Sequence, residues 1–171
     1  MKILFLSFYY APDIGACALR AKSIVDALVE NSEFKVSVDV FSTMPNRYNT
    51  MRLTAVRQES LKSIEIHRFS LPKYKSRIFF LDQAVSFISY ASNVLKESKK
   101  KEYDIIVVTS GRSMSAALAA VIAKKKKCKL YIDIRDLFSD TIEDVMRKRM
   151  VWFILPIFRN LERWTYSSAT K

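Results

Sequence analysis

The chain begins Met1-Lys2-Ile3-Leu4-Phe5-Leu6-Ser7-Phe8-Tyr9-Tyr10-Ala11-Pro12-Asp13-Ile14-Gly15-Ala16. A hydrophobic run comes first, the turn-forming residues Pro12 and Gly15 follow it, and a helical pattern then starts near Arg20. This order predicts a buried strand, a loop and a helix N-terminus, which together form the first half of an α/β unit. In sheets built from such units, the loop lies where ligands bind.

The rest of the chain continues the alternation of strands and helices. Period-two or continuous apolar patterns predict further strands at 35–41, 63–69, 103–109 and 129–134, and helical spacing predicts helices at 77–99 and 113–127. Residues 42–61 show little periodicity and are predicted to form a long connection after the second strand. We therefore expect one domain over 1–171, with a doubly wound, mostly parallel α/β sheet of strand order 3-2-1-4-5 and helices on both faces.

Charge and composition limit the possible functions. The 171 residues include 29 Lys and Arg against 17 Asp and Glu, a formal net charge of +12, so we expect an anionic partner such as a phosphorylated ligand, a membrane surface or nucleic acid. Strands buried on both faces leave no basic, aromatic sheet face for nucleic acid, which we do not expect to bind. We also expect no metal site, two free thiols at Cys17 and Cys128, and a structural role for His67, the single histidine.

Three loops are expected at the ligand-binding edge of the sheet. Gly15 in the first loop would allow close approach of a phosphate to the backbone, or would simply end the strand with a tight turn. With two glycines in the chain, neither the dinucleotide-binding fingerprint nor the P-loop can be formed. In the other loops, Asp136 is either a general base or a helix cap, and Arg112 and Arg135 are either phosphate ligands or surface cations.

The last twenty residues combine cations with aromatic side chains. Arg159 and Arg163 alternate with Phe158 and Trp164, and Pro156 is expected to kink the helix. Such a helix suits the surface of an anionic membrane. The alternative is packing against a second domain.

Four segments of the chain resemble one enzyme family. They are the opening strand with Tyr9-Tyr10-Ala11-Pro12-Asp13-Ile14-Gly15 and Arg20, then Phe41-Ser42-Thr43-Met44-Pro45-Asn46, Arg135-Asp136-Leu137-Phe138-Ser139-Asp140, and Leu161-Glu162-Arg163-Trp164-Thr165-Tyr166. These segments resemble the N-terminal half of family 4 glycosyltransferases of the GT-B fold, in particular bacterial transferases of N-acetylfucosamine and of capsule or O-antigen sugars. The resemblance implies one Rossmann-like half of a GT-B enzyme, with residues 150–171 leading into an absent C-terminal donor domain.

The resemblance also implies roles for individual residues. Gly15, Ala16 and Arg20 would lie on the side of the donor diphosphate, although the family usually has a second glycine where this chain has Ala16. Four residues would border the acceptor: Asn46, Ser110, Arg112 and Arg135. Asp136 would contact the acceptor hydroxyl as the candidate catalytic residue.

The expected reaction of the full-length enzyme is transfer of a sugar, with retention, from a nucleotide-sugar, expected to be a UDP-sugar, to a lipid-diphosphate-linked or polysaccharide acceptor. This domain is expected to bind no cofactor of its own, to lack activity alone, and to belong to a cytoplasmic protein peripheral to the inner face of the cell membrane. The alternative from the residues themselves is a binding module without catalysis, which recognises a phosphorylated ligand or a protein partner.

Overall fold

The computed structural model describes residues 1–30, 35–46, 53–72, 79–109, 113–134 and 148–170, without the side chains of 79–80, 113 and 148–154. Within these residues the elements are β1 (Lys2–Leu6), α1 (Ala16–Glu30), β2 (Ser37–Thr43), β3 (Gln58–Leu61), β4 (Ile64–Phe69), α2 (Phe79–Ser98), β5 (Ile105–Thr109), α3 (Ser113–Lys126), β6 (Lys129–Asp133) and α4 (Lys148–Ser167).

The sheet has the order β3-β4-β2-β1-β5-β6. All pairs are parallel except β3 with β4, which form an antiparallel hairpin. The predicted α/β class and the predicted order of five parallel strands are confirmed. The expectation of an irregular connection over 42–61 was wrong at both ends, because β2 extends to Thr43 and β3 occupies the last four residues. Its sequence, Gln58-Glu59-Ser60-Leu61, has a single apolar residue and therefore gives no alternating pattern.

Helices cover both faces of the sheet because side chains alternate along each strand. Ile3 and Phe5 of β1 pack with Val25 of α1 in one buried cluster. Leu4 and Leu6 point to the other face and pack in a second cluster that includes side chains of α2 and α3. This two-sided burial explains why the parallel strands are apolar at consecutive positions rather than at every second one.

The structure places His67 where a structural histidine was expected, packed within the sheet. Its ring lies on β4 and meets the ring of Phe41 edge to face at 5.1 Å, and its Nε2 is 3.8 Å from Glu65. Both cysteines are free, as expected, and their side chains are half-buried. Burial raises the pKa of the Cys128 thiol, which favours the protonated form.

The C-terminal helix packs on this domain itself. Helix α4 continues through Pro156 and contacts α3. Beyond it, the backbone N–H of Thr170 donates to the Leu130 carbonyl at 2.9 Å, and the Thr170 hydroxyl accepts from the Leu130 N–H at 3.0 Å. Ile157 and Trp164 remain exposed on α4. None of the helices in the described part of the chain has the length and apolar character that crossing a bilayer requires.

Tyr90 of α2 provides a test of the core. Its side chain is completely buried, its hydroxyl donates to the Phe41 carbonyl at 2.9 Å, and burial raises its pKa far above the ordinary value. The unfolded state therefore releases this proton at a lower pH than the folded state. The contribution of the protonated hydroxyl to the free energy of unfolding is fully present below about pH 10 and is lost as the pH rises above it.

We expect Tyr90→Phe to lower the free energy of unfolding by about 1 kcal/mol at neutral pH. Above about pH 10 it should make the decline with pH shallower, by up to about 1.4 kcal/mol per pH unit. Urea unfolding between neutral pH and pH 11 measures both effects. Tyr131→Phe, at an exposed position, is the control and should follow the unmodified chain. An unchanged slope for Tyr90→Phe would contradict the assignment.

Candidate functional site

The candidate site lies at the carboxyl edge of the sheet, where the parallel strands β1, β2, β4, β5 and β6 end. The first loop, residues 7–15, leaves β1 at this edge and leads into α1. Strand β1 lies between β2 and β5, so the chain winds in opposite directions on its two sides. A crevice forms at such a switch point, and ligands of doubly wound sheets bind there.

Strand β2 holds the beginning of the first loop. The Phe8 carbonyl accepts two hydrogen bonds from Thr43, one from its backbone N–H at 3.2 Å and one from its hydroxyl at 2.6 Å. The Ser7 N–H donates to the Phe41 carbonyl at 3.2 Å, and the Ser7 hydroxyl donates to the Tyr9 carbonyl at 2.6 Å. Ser7 and Thr43 are buried. The first two residues of the loop, Ser7 and Phe8, are thus hydrogen-bonded to β2.

Asn46, predicted to border the acceptor, helps to fix the same loop. Its side-chain amide donates to the Thr43 hydroxyl at 2.7 Å and to the Met44 carbonyl at 2.8 Å. Its backbone N–H donates to the buried Asp13 carboxylate at 3.3 Å, and the Ile14 N–H donates to the same carboxylate at 3.1 Å. Asp13 therefore joins the connections that follow β1 and β2. The side-chain oxygen of Asn46 takes part in none of these hydrogen bonds.

Arg68 of β4 holds the middle of the first loop. Its side chain is buried, and its Nε and one terminal nitrogen donate to the Ala11 carbonyl at 3.3 and 2.8 Å. The other terminal nitrogen donates to the Val56 carbonyl at 3.1 Å and to the Glu59 carboxylate at 2.8 Å. One guanidinium thus fixes the loop and the residues leading into β3. We did not predict this role, although period two along β4 places Arg68 on the same face as buried Ile66.

Gly15 forms the junction between the first loop and α1. Its φ is 139°, a value accessible to glycine and strongly disfavoured for any residue with a Cβ. Its carbonyl accepts the first helical hydrogen bonds, from Ala18 at 3.0 Å and Leu19 at 3.1 Å. The first turn of α1 contains no acidic residue, so none of its own carboxylates neutralises the positive end of the helix dipole. Ala16 is exposed there, and this N-terminus can receive an anion.

Arg20, predicted to support phosphates or the loop, reaches the other side of the switch point. Its Nε and one terminal nitrogen each donate to an oxygen of Asp133 at 2.7 Å. These two hydrogen bonds to Asp133 raise the pKa of the Arg20 guanidinium above its ordinary value. Asp133 is the last residue of β6. The ion pair therefore bridges α1 to the strand that precedes Arg135 and Asp136.

Half of the predicted site residues lie outside the described residues: Ser110, Arg112, Arg135 and Asp136. The strands that lead to them end together, because Thr109 of β5 is in register with Asp133 of β6. The hydroxyls of Thr109 and Ser115, on either side of the first of these loops, are buried and have no hydrogen-bond partner in the described part of the chain. Buried hydroxyls without partners are uncommon, and the hydroxyl of Tyr166 is the third such group among the described residues.

Among the described residues, no three His, Cys, Asp or Glu side chains lie close enough together to hold a metal ion. The described polar groups of the site are backbone N–H groups, hydroxyls, the Asn46 amide, two guanidinium groups, and two carboxylates that already accept hydrogen bonds, those of Asp13 and Asp133. Such groups bind and orient anionic and hydroxyl-bearing ligands.

Comparison with known proteins gives structural neighbours only. No protein-family model matches the chain, and no curated protein sequence matches it significantly. One similar solved structure is UGT2 of Phytolacca americana with UDP-2fluoro-glucose and pterostilbene, at a TM-score of 0.44 and 15% identity over 85% of this chain and 35% of that one. Another is a UGT transferase of Siraitia grosvenorii with UDP, at a TM-score of 0.43 and 20% identity over 87% of this chain and 32% of that one. The chain spans about a third of the length of both, which are UDP-glycosyltransferases.

Proposed function

We propose that this chain is the acceptor-side domain of a glycosyltransferase. The observation that carries the proposal is the junction at Gly15, which brings an α-helix N-terminus without acidic residues to the switch point of a doubly wound sheet. An N-terminus placed in this way favours negative charge in a crevice. The motif resemblance around Tyr9, Asn46 and Asp136 supports a sugar-transfer reaction rather than another use of the crevice.

In the proposed enzyme, the donor diphosphate is bound chiefly by a second α/β domain and approaches this one across a cleft. Gly15, Ala16 and Arg20 face the diphosphate from this side. Negative charge accumulates on the diphosphate as the glycosidic bond to it breaks, and the N–H groups at the start of α1 stabilise that charge. The first loop can do this without moving, since Arg68, Asp13 and Thr43 already fix its backbone.

The acceptor occupies the side of the crevice bordered by Asn46, Ser110, Arg112 and Arg135. We propose that Asp136 contacts the hydroxyl that attacks the sugar. A carboxylate in that place accepts the proton of the hydroxyl and orients it. Transfer with retention from a nucleotide-sugar without a bound metal follows the family that the motifs resemble.

A lipid-diphosphate acceptor in surface polysaccharide synthesis suits the charge of the chain. The net charge of +12 and the exposed Ile157, Arg159, Arg163 and Trp164 of α4 are features that bind anionic membranes. We therefore propose a peripheral position on the cytoplasmic face of the membrane. The segment 150–171 would then both lead to the donor domain and contact lipid.

The test compares this 171-residue chain with a longer protein that contains a second α/β domain. Both are incubated with labelled nucleotide-sugars and a lipid-diphosphate-linked sugar, and the lipid fraction is analysed. We expect labelled lipid with the longer protein and one of the nucleotide-sugars, and none with the 171-residue chain. Transfer by the short chain would contradict the two-domain cleft. Saturable nucleotide-sugar binding without transfer by the longer protein would support a binding module instead.

A further inference from the structure

A cavity lies at the amino edge of the sheet, opposite the candidate site. It has a volume of about 310 Å³ and lies between the C-terminal ends of α2 and α3. Its charged lining consists of Lys99, Lys125, Lys126 and Lys127 with one acid, Glu102. Hereafter it is called the lysine cavity.

Two lysines next to the cavity have acidic partners, but three of the four lysines that line it have none among the described residues. Lys100 pairs with Glu97 at 2.9 Å, and Lys101 pairs with the buried Asp39 at 2.9 Å. Within the cavity, Lys126 donates to the Lys101 carbonyl at 2.7 Å and lies 3.3 Å from Glu102. The other three, Lys99, Lys125 and Lys127, are exposed and form no ion pair with any described carboxylate.

Helix dipoles account for only part of this charge. The C-terminal ends of α2 and α3 each carry about half an elementary negative charge, which attracts lysines. Two helix ends and Glu102 thus offset about two of the four lysines that line the cavity. About two positive charges remain, gathered in one concave place rather than spread over a convex surface.

We propose that the lysine cavity binds a phosphate-bearing ligand, as a phosphomonoester or a diphosphate. Such a group carries about two negative charges and has several acceptor oxygens, so it can receive hydrogen bonds from more than one ammonium group at a time. A carboxylate has half that charge. The volume is at the lower end for small-molecule sites, and Leu95 and Ile122 supply an apolar part of the lining for the rest of the ligand.

The same chemistry is found in a soluble phosphorylated compound and in the headgroup of a lipid such as phosphatidic acid. Because the cavity is at the opposite edge of the sheet from Gly15 and the N-terminus of α1, its ligand is separate from the proposed donor and acceptor. Binding here is therefore independent of whether the chain takes part in sugar transfer.

The first experiment titrates the 171-residue chain with inorganic pyrophosphate by calorimetry at constant ionic strength. We expect saturable binding that weakens at least about tenfold in the double variant Lys99→Gln/Lys125→Gln, since each lost ammonium removes a charge-assisted hydrogen bond. The matched control is Lys35→Gln/Lys124→Gln, which removes the same charge from exposed positions outside the cavity. It should bind pyrophosphate within about twofold of the unmodified chain.

The second experiment distinguishes the two sources of phosphate. The chain is sedimented with phosphatidylcholine vesicles with and without phosphatidic acid, in the absence and presence of pyrophosphate. Binding to phosphatidic acid that pyrophosphate displaces indicates the lipid headgroup, and pyrophosphate binding without vesicle binding indicates a soluble ligand. The proposal is wrong if neither probe binds, or if both double variants weaken pyrophosphate binding equally. Thermal unfolding of each variant shows that the comparison is made between folded proteins.

Discussion

Replacing Arg68 with leucine is expected to lower the free energy of unfolding by about 2–3 kcal/mol. The guanidinium is buried, and its removal leaves the Ala11 and Val56 carbonyls without these hydrogen bonds and the Glu59 carboxylate without this cation. Leucine fills part of the space but supplies no donor, so three acceptors lose one shared partner whose own side chain is buried. The loss should be larger than for any substitution of an exposed arginine.

Urea unfolding at neutral pH measures this loss. Arg57→Leu is the matched control, because Arg57 is exposed one residue before β3 and its substitution should change stability by less than about 0.5 kcal/mol. Arg68→Lys keeps the charge but not the forked geometry, so it should fall between the two. Equal stability of the Arg68→Leu and Arg57→Leu variants would show that Arg68 does not hold the first loop.

The position of Arg68 also shows what sequence patterns can and cannot predict. The five parallel strands were predictable because strands buried on both faces are apolar at nearly every position. Their order follows from the usual connection rules of doubly wound sheets. Arg68 follows the same alternation, on one face with Ile66, but an arginine in a strand is usually taken as solvent-facing. Its burial depends on carbonyl groups 12 and 57 residues away in the chain, and local patterns carry no information about such partners.

The candidate site was predictable to the extent that it follows from topology. The switch point and the loop with Gly15 follow from strand order alone, and both are where we expected them. The bidentate pair of Arg20 with Asp133 and the bridge from Asp13 to Asn46 join residues 113 and 33 positions apart. These contacts arise when the carboxyl ends of separate strands come together in the fold. The ligand-binding and catalytic roles of all eight predicted site residues stay predictions, both for Gly15, Ala16, Arg20 and Asn46 and for Ser110, Arg112, Arg135 and Asp136.

Gly15 was open to two interpretations, a tight turn or a close approach to phosphate, and substitution by alanine separates them. A φ of 139° is strained for any residue with a Cβ, so we expect Gly15→Ala to lower the free energy of unfolding by about 1–3 kcal/mol. The variant relieves this strain by moving the end of the first loop, which turns the N-terminus of α1 away from the crevice. The rate of sugar transfer by the longer protein should then fall by a larger factor than the fraction of that protein which is folded.

Ala16→Gly is the control for this experiment. It restores the second glycine of the family that the motif resembles, adds no Cβ, and should reduce stability by no more than about 1 kcal/mol. Urea unfolding and the transfer assay, both at a temperature where each variant is folded, are compared for the two substitutions. If Gly15→Ala lowers stability but leaves transfer equal to that of Ala16→Gly, Gly15 serves only the turn. A selective loss of transfer in Gly15→Ala requires that the helix N-terminus which Gly15 positions takes part in the reaction, since each variant differs from the unmodified chain by one methyl group and the two changes are at adjacent positions.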